Sequence, residues 1–140
     1  MNDAQILTLV DRFERCLLAK DEFHHRDHLA VAVVYLYASD LPSAMDRMRA
    51  SLQRFAAHHG VRRLYHETIT RFWLQQAEQR LDRSLCLSES VQKVQSELSD
   101  KGLISQFYGK QVLDSHEAKE QWVEPELKPM NHKGHKGAQR

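Results

Sequence analysis

The chain has 140 residues, and its 20 lysines and arginines nearly balance its 19 aspartates and glutamates, which gives a formal net charge of +1. This length suits one domain with a single core, and 41% hydrophobic with 28% charged residues is typical of a globular protein. The balanced charge gives no electrostatic argument for nucleic acid or an anionic membrane as the main partner. No apolar run approaches the roughly 18 residues of a membrane span and the first residues lack the order of a secretory signal, so we predict a cytoplasmic location.

Apolar residues at helical spacing predict two helices in the first 38 residues. From Asp3 to Lys20 they recur on one side of the helix, with charged residues on the other. Residues 29–38, LAVAVVYLYA, would also suit a buried strand. Because no second convincing strand follows to pair with it, we predict a central helix that is apolar on all sides.

A third helix is predicted from the region of Asp40 to Gly60, where the glycine acts as a stop signal. One face of this helix carries an apolar stripe formed by Met45, Met48, Leu52 and Phe55. The stripe suits the core of the chain and is also compatible with a homodimer.

A fourth helix is predicted from Leu64 or Tyr65 to about Leu81, and weaker helical patterns follow at residues 88–100 and 115–122. Together the patterns predict an all-α, single-domain bundle of five or six helices.

The C-terminal part of the chain changes in composition. Two prolines and two glycines replace the apolar period there, and the charged residues of the last ten positions are all basic. We therefore assign residues 1–124 to the helical domain and residues 125–140 to a flexible basic tail.

A histidine cluster, FHHRDHL at residues 23–29, comes directly before the apolar helix. If the helix already covers the cluster, His24 and His28 lie about 40° apart around its axis, and His25 and His28 about 60° apart. Either pair can present two imidazoles to one metal ion, and further ligands must come from elsewhere in the fold. Glu22 and His25 have the spacing found in di-iron bundles, but the second copy that such a site needs is missing, so a single ion is favoured.

His66, in the stretch YHETIT, is the best candidate for a third ligand. It lies near the start of the fourth helix, where the helix dipole disfavours imidazolium and keeps the ring neutral. The next residue, Glu67, can act as a further ligand, as an acceptor that orients a ligand or as a general base, or it can form an exposed ion pair with Arg71. The alternative to metal binding is a purely structural role, because histidines at helix starts often cap backbone groups or form hydrogen bonds with a carboxylate such as Asp27.

Three motifs together resemble those of a group of small bacterial proteins of unassigned function. They are FHHRDHL, YHETIT and WVEPELKP, which fit the patterns Phe-x-His-x-x-His-Leu, Tyr-His-x-Thr-x-Thr and Val-Glu-Pro-x-Leu-x-Pro. The resemblance spans about residues 6–129 and implies a grouping and a site, not a reaction. It selects His25 with His28 as the ligand pair of the cluster, and in the second motif it picks out Tyr65, His66, Thr68 and Thr70.

Two hypotheses follow for the function. The first is a small metal-dependent enzyme that acts on a small molecule and holds one divalent iron or zinc ion. Its site residues are the metal ligands His25, His28 and His66 and, for catalysis, Glu67, Tyr65 and Thr70. This site requires the second and fourth helices to begin side by side. The second hypothesis is a non-catalytic helical module that binds a small apolar ligand or a partner helix, with histidines that only form structural hydrogen bonds.

Overall fold

A computed structural model describes residues 1–130, and over that range the chain forms α-helices, short 3₁₀ helices and no strand. The predicted all-α bundle is therefore confirmed. The α-helices are α1 (Asp3–Glu14), α2 (His25–Ala38), α3 (Leu41–His58), α4 (Glu67–Arg80), α5 (Leu87–Glu97), α6 (Lys110–Leu113) and α7 (His116–Glu120). The 3₁₀ helices span Lys20–Glu22, Arg62–Leu64 and Lys101–Gln106. In the described part of the chain, no helix is both long enough and apolar enough to cross a membrane.

The helix starts follow from their capping residues. Asn2 accepts a hydrogen bond from the backbone N–H of Gln5, whose side chain in turn accepts one from the backbone of Asn2, which is a capping box for α1. Asp40 caps α3 by accepting from the N–H of Ser43 at 2.9 Å. Gly60 follows the end of α3 with a φ of +71°, a conformation that glycine adopts at little cost.

α2 is the centre of the bundle, as its all-round apolar sequence predicts. Every residue from Leu29 to Leu36 is buried, and the helix packs against α1, α3, α4 and α5. The buried Tyr35 donates its hydroxyl proton to Glu14 of α1 at 2.6 Å, so its one polar atom is satisfied. The choice of helix over strand for this segment is confirmed.

The apolar stripe of α3 faces the core of the same chain. Met45, Met48 and Phe55 are buried there, and Leu52 packs against the same core. These side chains therefore pack in the core of their own chain. The homodimer stays a prediction.

The segment after α7 runs back over α4 and the residues that precede α6. The N–H of Leu127 donates to the carbonyl oxygen of Phe107 at 3.0 Å, and the side chain of Met130 is buried against Gln76. These contacts lie in the first residues of the predicted tail. Its remaining part, residues 131–140, lies outside the described residues.

Candidate functional site

The histidine cluster lies where α2 begins, beside the middle of α4 and the end of α5. The Nε2 atom of His25 lies 2.9 Å from the carbonyl oxygen of Leu98, so this nitrogen carries the proton and donates it. The His25 ring also packs edge-on against Trp73 of α4, with ring centres 4.6 Å apart. The neighbouring carboxylate of Asp27 accepts from the backbone N–H of His24 at the start of α2.

His66 is the N-cap of α4, and both of its ring nitrogens are used. Its Nδ1 accepts a hydrogen bond from the N–H of Ile69 at 3.1 Å. Its Nε2 therefore carries the proton and donates to the carbonyl oxygen of Leu113 at 2.7 Å. Because Trp73 lies seven residues further on, His66 is about 10 Å along the helix from the place where His25 meets α4.

The three histidines therefore do not form the predicted metal site. Among residues 1–130, no group of three or more histidine, cysteine, aspartate or glutamate side chains is arranged to hold a metal ion. His25 lies against Trp73 in the middle of α4, and His66 is held at the start of that helix with no free nitrogen lone pair. The prediction of an iron or zinc cofactor, and of a metal-dependent enzyme with His25, His28 and His66 as ligands, is wrong.

His28 lies in the first turns of α2 and is largely removed from solvent. Burial and, to a smaller extent, the nearby His25 lower the pKa of His28 from 6.5 to about 4. The ring lies 6.1 Å from that of Phe23, centre to centre. His28 is thus a neutral side chain near neutral pH.

Glu67 pairs with Arg49 of α3 and not with Arg71. Two guanidinium nitrogens of Arg49 donate to the Glu67 carboxylate, Nε at 3.0 Å and Nη2 at 2.7 Å. The hydroxyl of Tyr65 donates to the same carboxylate at 2.7 Å. Only 13% of the Glu67 side chain is exposed, so a bidentate ion pair here joins α3 firmly to the start of α4.

This cluster is not tuned for proton transfer near neutral pH. Burial alone would raise the pKa of Glu67, but the hydrogen bonds from Arg49 and Tyr65 outweigh it, and the pKa lies below its ordinary value. Burial and the bond to Glu67 raise the pKa of Tyr65. Efficient general acids and bases have pKa values close to the working pH, and these two groups are shifted away from it.

Thr70, the third residue assigned to catalysis, is buried in the first turns of α4. Its hydroxyl donates to the carbonyl oxygen of His66 at 2.7 Å. Thr68, which is fully buried, donates to the carbonyl oxygen of Gln121 and accepts from the N–H of Val123. Both hydroxyls therefore serve the fold, and Thr68 fixes the segment that carries Trp122.

A large open groove lies beside this cluster, bounded by α3, the start of α4, α7 and the residues after α7. Its volume is about 1250 Å³. We call it the basic groove, because six cationic side chains line it against only two carboxylates, those of Glu67 and Glu120. The cationic residues are Arg49, Arg54, Arg62, Arg63, Arg71 and Lys119.

Arg71 is the most unusual side chain of the basic groove. It is partly buried, and its guanidinium carbon lies 4.6 Å from the centre of the Trp122 ring. No residue up to Met130 forms an ion pair or a hydrogen bond with this guanidinium, and the ten residues after Met130 contain no aspartate or glutamate. Arginines removed from solvent are normally paired, so Arg71 holds several unused donors in a fixed position.

Three further arginines extend the positive charge along the groove. Arg54, Arg62 and Arg63 are exposed, and none forms an ion pair within the described part of the chain. Lys119 of α7 donates to the backbone carbonyl oxygen of Arg63 and so connects the two walls. The groove therefore combines the Arg71 guanidinium, which Trp122 holds in place, with three exposed arginines at its rim.

The basic groove could not be predicted from the sequence because its charge is local. The net charge of +1 is an average over the whole chain, and the basic residues come from four separate segments. The adjacent pair Arg62 and Arg63 after Gly60 is the one signal along the sequence. Nothing in the sequence pattern places Lys119 beside that pair.

No family model, curated protein or solved structure matches this chain. The resemblance to small bacterial proteins therefore stays a prediction that rests on its three motifs. Two of those motifs do meet in the fold, because Thr68 of YHETIT binds the backbone at Val123 of WVEPELKP. The same two motifs supply Tyr65, Glu67 and Trp122 to the basic groove.

Proposed function

We propose that this chain is a binding protein that takes an acidic segment of a partner protein into the basic groove. The observation that carries the proposal is Arg71, a partly buried guanidinium that stacks on Trp122 and forms no ion pair and no hydrogen bond within residues 1–130. The carboxylate of Glu67 lies near enough to feel its charge but is bonded to Arg49 and Tyr65. A planar guanidinium binds a carboxylate through two parallel hydrogen bonds. Because Trp122 already holds Arg71 in place, little side-chain freedom is lost when an anion binds.

The arginines at the rim add attraction without a fixed geometry. Arg54, Arg62 and Arg63 project along the groove from α3 and the 3₁₀ helix that follows it. Exposed charges of one sign steer an oppositely charged partner and raise its rate of association. A segment with several acidic side chains can use these arginines at once, while one carboxylate reaches Arg71.

The shape and the charges of the groove favour a peptide over other anions. Small-molecule sites are usually enclosed and have volumes of roughly 300–1,000 Å³, whereas this groove is open and has about 1250 Å³. Glu67 is neutralised by Arg49, but Glu120 also lines the groove and would repel the unbroken row of phosphates of a nucleic acid strand. A peptide instead alternates acidic side chains with backbone N–H donors, which can face Glu120.

A binding titration with a fluorescently labelled hexaglutamate peptide tests this proposal. We compare the wild-type protein with Arg71→Gln and with the double variant Arg62→Gln/Arg63→Gln. Each change should weaken binding about tenfold or more, because it removes charge-assisted hydrogen bonds or the charge that attracts the peptide. The matched control is Arg26→Gln, which removes an exposed arginine of α2 that does not line the groove and should change the affinity less than about twofold.

Two results would overturn the proposal. Equal affinity in all four proteins would show that the groove is not the binding site. Tighter binding of an RNA hexanucleotide, with the same dependence on Arg62, Arg63 and Arg71, would assign the groove to nucleic acid instead.

A further inference from the structure

A second cavity adjoins the basic groove between α3 and α4, and we call it the side cavity. Its volume is about 230 Å³. Arg49 and Arg71 line both this cavity and the basic groove, so the two spaces meet at these guanidinium groups. The complete lining consists of Leu41, Pro42, Met45, Asp46, Arg49 and Arg71.

The inner wall of the side cavity is apolar and belongs to the first turns of α3. Leu41 and Met45 are four residues apart, so their side chains lie on the same face of the helix. Met45 is buried, and Leu41 is partly exposed at the opening. Asp46 is at the rim, where it accepts a hydrogen bond from Arg49 at 2.9 Å.

We infer that the acidic segment carries one aliphatic side chain beside the carboxylate that binds Arg71, and that this side chain enters the side cavity. The inference rests on the proposed function. A cavity of about 150 Å³ accommodates benzene, so a volume of about 230 Å³ is sufficient for one leucine or methionine side chain, which can lie against the apolar wall formed by Leu41, Pro42 and Met45. Because Arg71 borders both spaces, a carboxylate bound there brings the neighbouring residue of the peptide to the cavity.

The chain's own last ten residues do not match this occupant. They contain two lysines, one arginine and two histidines, and alanine is their largest aliphatic side chain. A basic segment would be repelled by the arginines at the boundary between the groove and the cavity. The chemistry of the site therefore fits a leucine-containing acidic segment of another protein.

Two hexapeptides that differ at one position test this inference. One has five glutamates and a leucine at the third position, and the other has a serine in place of the leucine. The leucine peptide should bind about tenfold more tightly, because its aliphatic side chain leaves water for the apolar wall of the side cavity. The variant Leu41→Ser should remove this advantage, whereas Leu41→Met should keep it. A nuclear Overhauser effect between the leucine methyl groups and the methyl group of Met45 should appear in the complex.

The outcomes separate the inference from the proposed function. If both peptides bind equally well and both still depend on Arg71, the side-cavity inference is wrong and the basic groove remains the binding site. If neither peptide depends on Arg71, the proposed function fails and the inference with it. If the protein forms dimers whose dissociation is caused by Leu41→Ser, a second copy occupies the side cavity and the inference is wrong.

Discussion

The imidazole ring of His66 forms hydrogen bonds with two backbone groups. It accepts from the N–H of Ile69 and donates to the carbonyl oxygen of Leu113, so it caps α4 and also holds the end of α6. Both partners are near the start of α4, the wall of the basic groove that carries Tyr65 and Glu67. The side chain thus acts on the site through the fold.

Replacement of His66 by alanine should destabilise the protein by about 2 kcal/mol, because it removes a helix cap and leaves the Leu113 carbonyl without its donor. His66→Asn should recover part of the loss, since asparagine can accept from Ile69 at the cap position. Urea denaturation followed by circular dichroism measures both free energies of unfolding. Equal stability of wild type and His66→Ala would show that the cap contributes nothing.

His28 gives the protein a specific dependence on pH. Burial lowers the pKa of its folded form to about 4, below the ordinary 6.5 that the unfolded chain retains. Between these two values the unfolded state binds a proton that the folded state excludes, so protons favour unfolding. The free energy of unfolding should therefore fall by about 3 kcal/mol as the pH drops from about 7 to about 4, with no further contribution below that.

Other groups also titrate over this range, so the test is a comparison of pH profiles. His28→Gln should flatten the fall in stability, whatever its own stability at neutral pH. His58→Gln removes an exposed histidine at the end of α3 and should leave the profile as in wild type. A profile unchanged by His28→Gln would contradict the low pKa.

The elements around the groove are held together by Thr68 and the segment after α7. Thr68 is fully buried, donates to Gln121 at 2.8 Å and accepts from Val123 at 3.2 Å. Trp122 lies between these two bonds, and Arg71 stacks on it. The position of the Arg71 guanidinium therefore depends on how α4 binds a segment that has no regular secondary structure.

Thr68→Val keeps the shape of the side chain and removes both of these hydrogen bonds. It should cost about 2 kcal/mol of stability, because two backbone groups and the buried position of Thr68 lose these hydrogen bonds. The amide of Val123 should also exchange with solvent faster in a hydrogen-exchange experiment, which locates the effect. Thr8→Val, at an exposed position of α1, should change the free energy of unfolding by less than about 0.5 kcal/mol. Equal losses in the two variants would argue against the role of Thr68.

Most of the fold could be predicted from the sequence, because it depends on patterns that repeat along each helix. The all-round apolar α2, the stripe of α3 and Gly60 after it are local signals that the structure confirms. The prediction for the site failed because it needed the relative placement of α2 and α4. The spacing of residues along the sequence does not give the distance between side chains on two different helices.

The same limit explains why the basic groove was not predicted. Its charge comes from α3, a 3₁₀ helix, α4 and α7, and only the tertiary fold brings Arg71, Arg63 and Lys119 to one surface. The total charge of +1 gives no indication of this local excess of positive charge. Tyr65 and Glu67, which the sequence-based prediction assigns to catalysis beside a metal ion, line the basic groove.

On the scale of the whole molecule, binding in the groove should depend strongly on salt. Exposed arginines are screened over a distance that shrinks from about 14 Å at 50 mM salt to about 4 Å at 500 mM salt. We expect the affinity for hexaglutamate to fall at least tenfold over this range, measured by fluorescence anisotropy. The double variant Arg62→Gln/Arg63→Gln should show a smaller fall, because fewer charges remain to be screened. Affinity that does not change with salt would contradict an electrostatic groove.

The most direct test of the central claim is a nuclear magnetic resonance titration of the labelled protein with unlabelled hexaglutamate. The Nε–H signal of Arg71, the indole N–H signal of Trp122 and the backbone amides of Arg62 and Arg63 should shift together and saturate together. Signals from the start of α2, including His25, should stay in place. Shifts at the start of α2 without shifts at Arg71 and Trp122, or no saturable shifts at all, would contradict the assignment of the basic groove as the binding site.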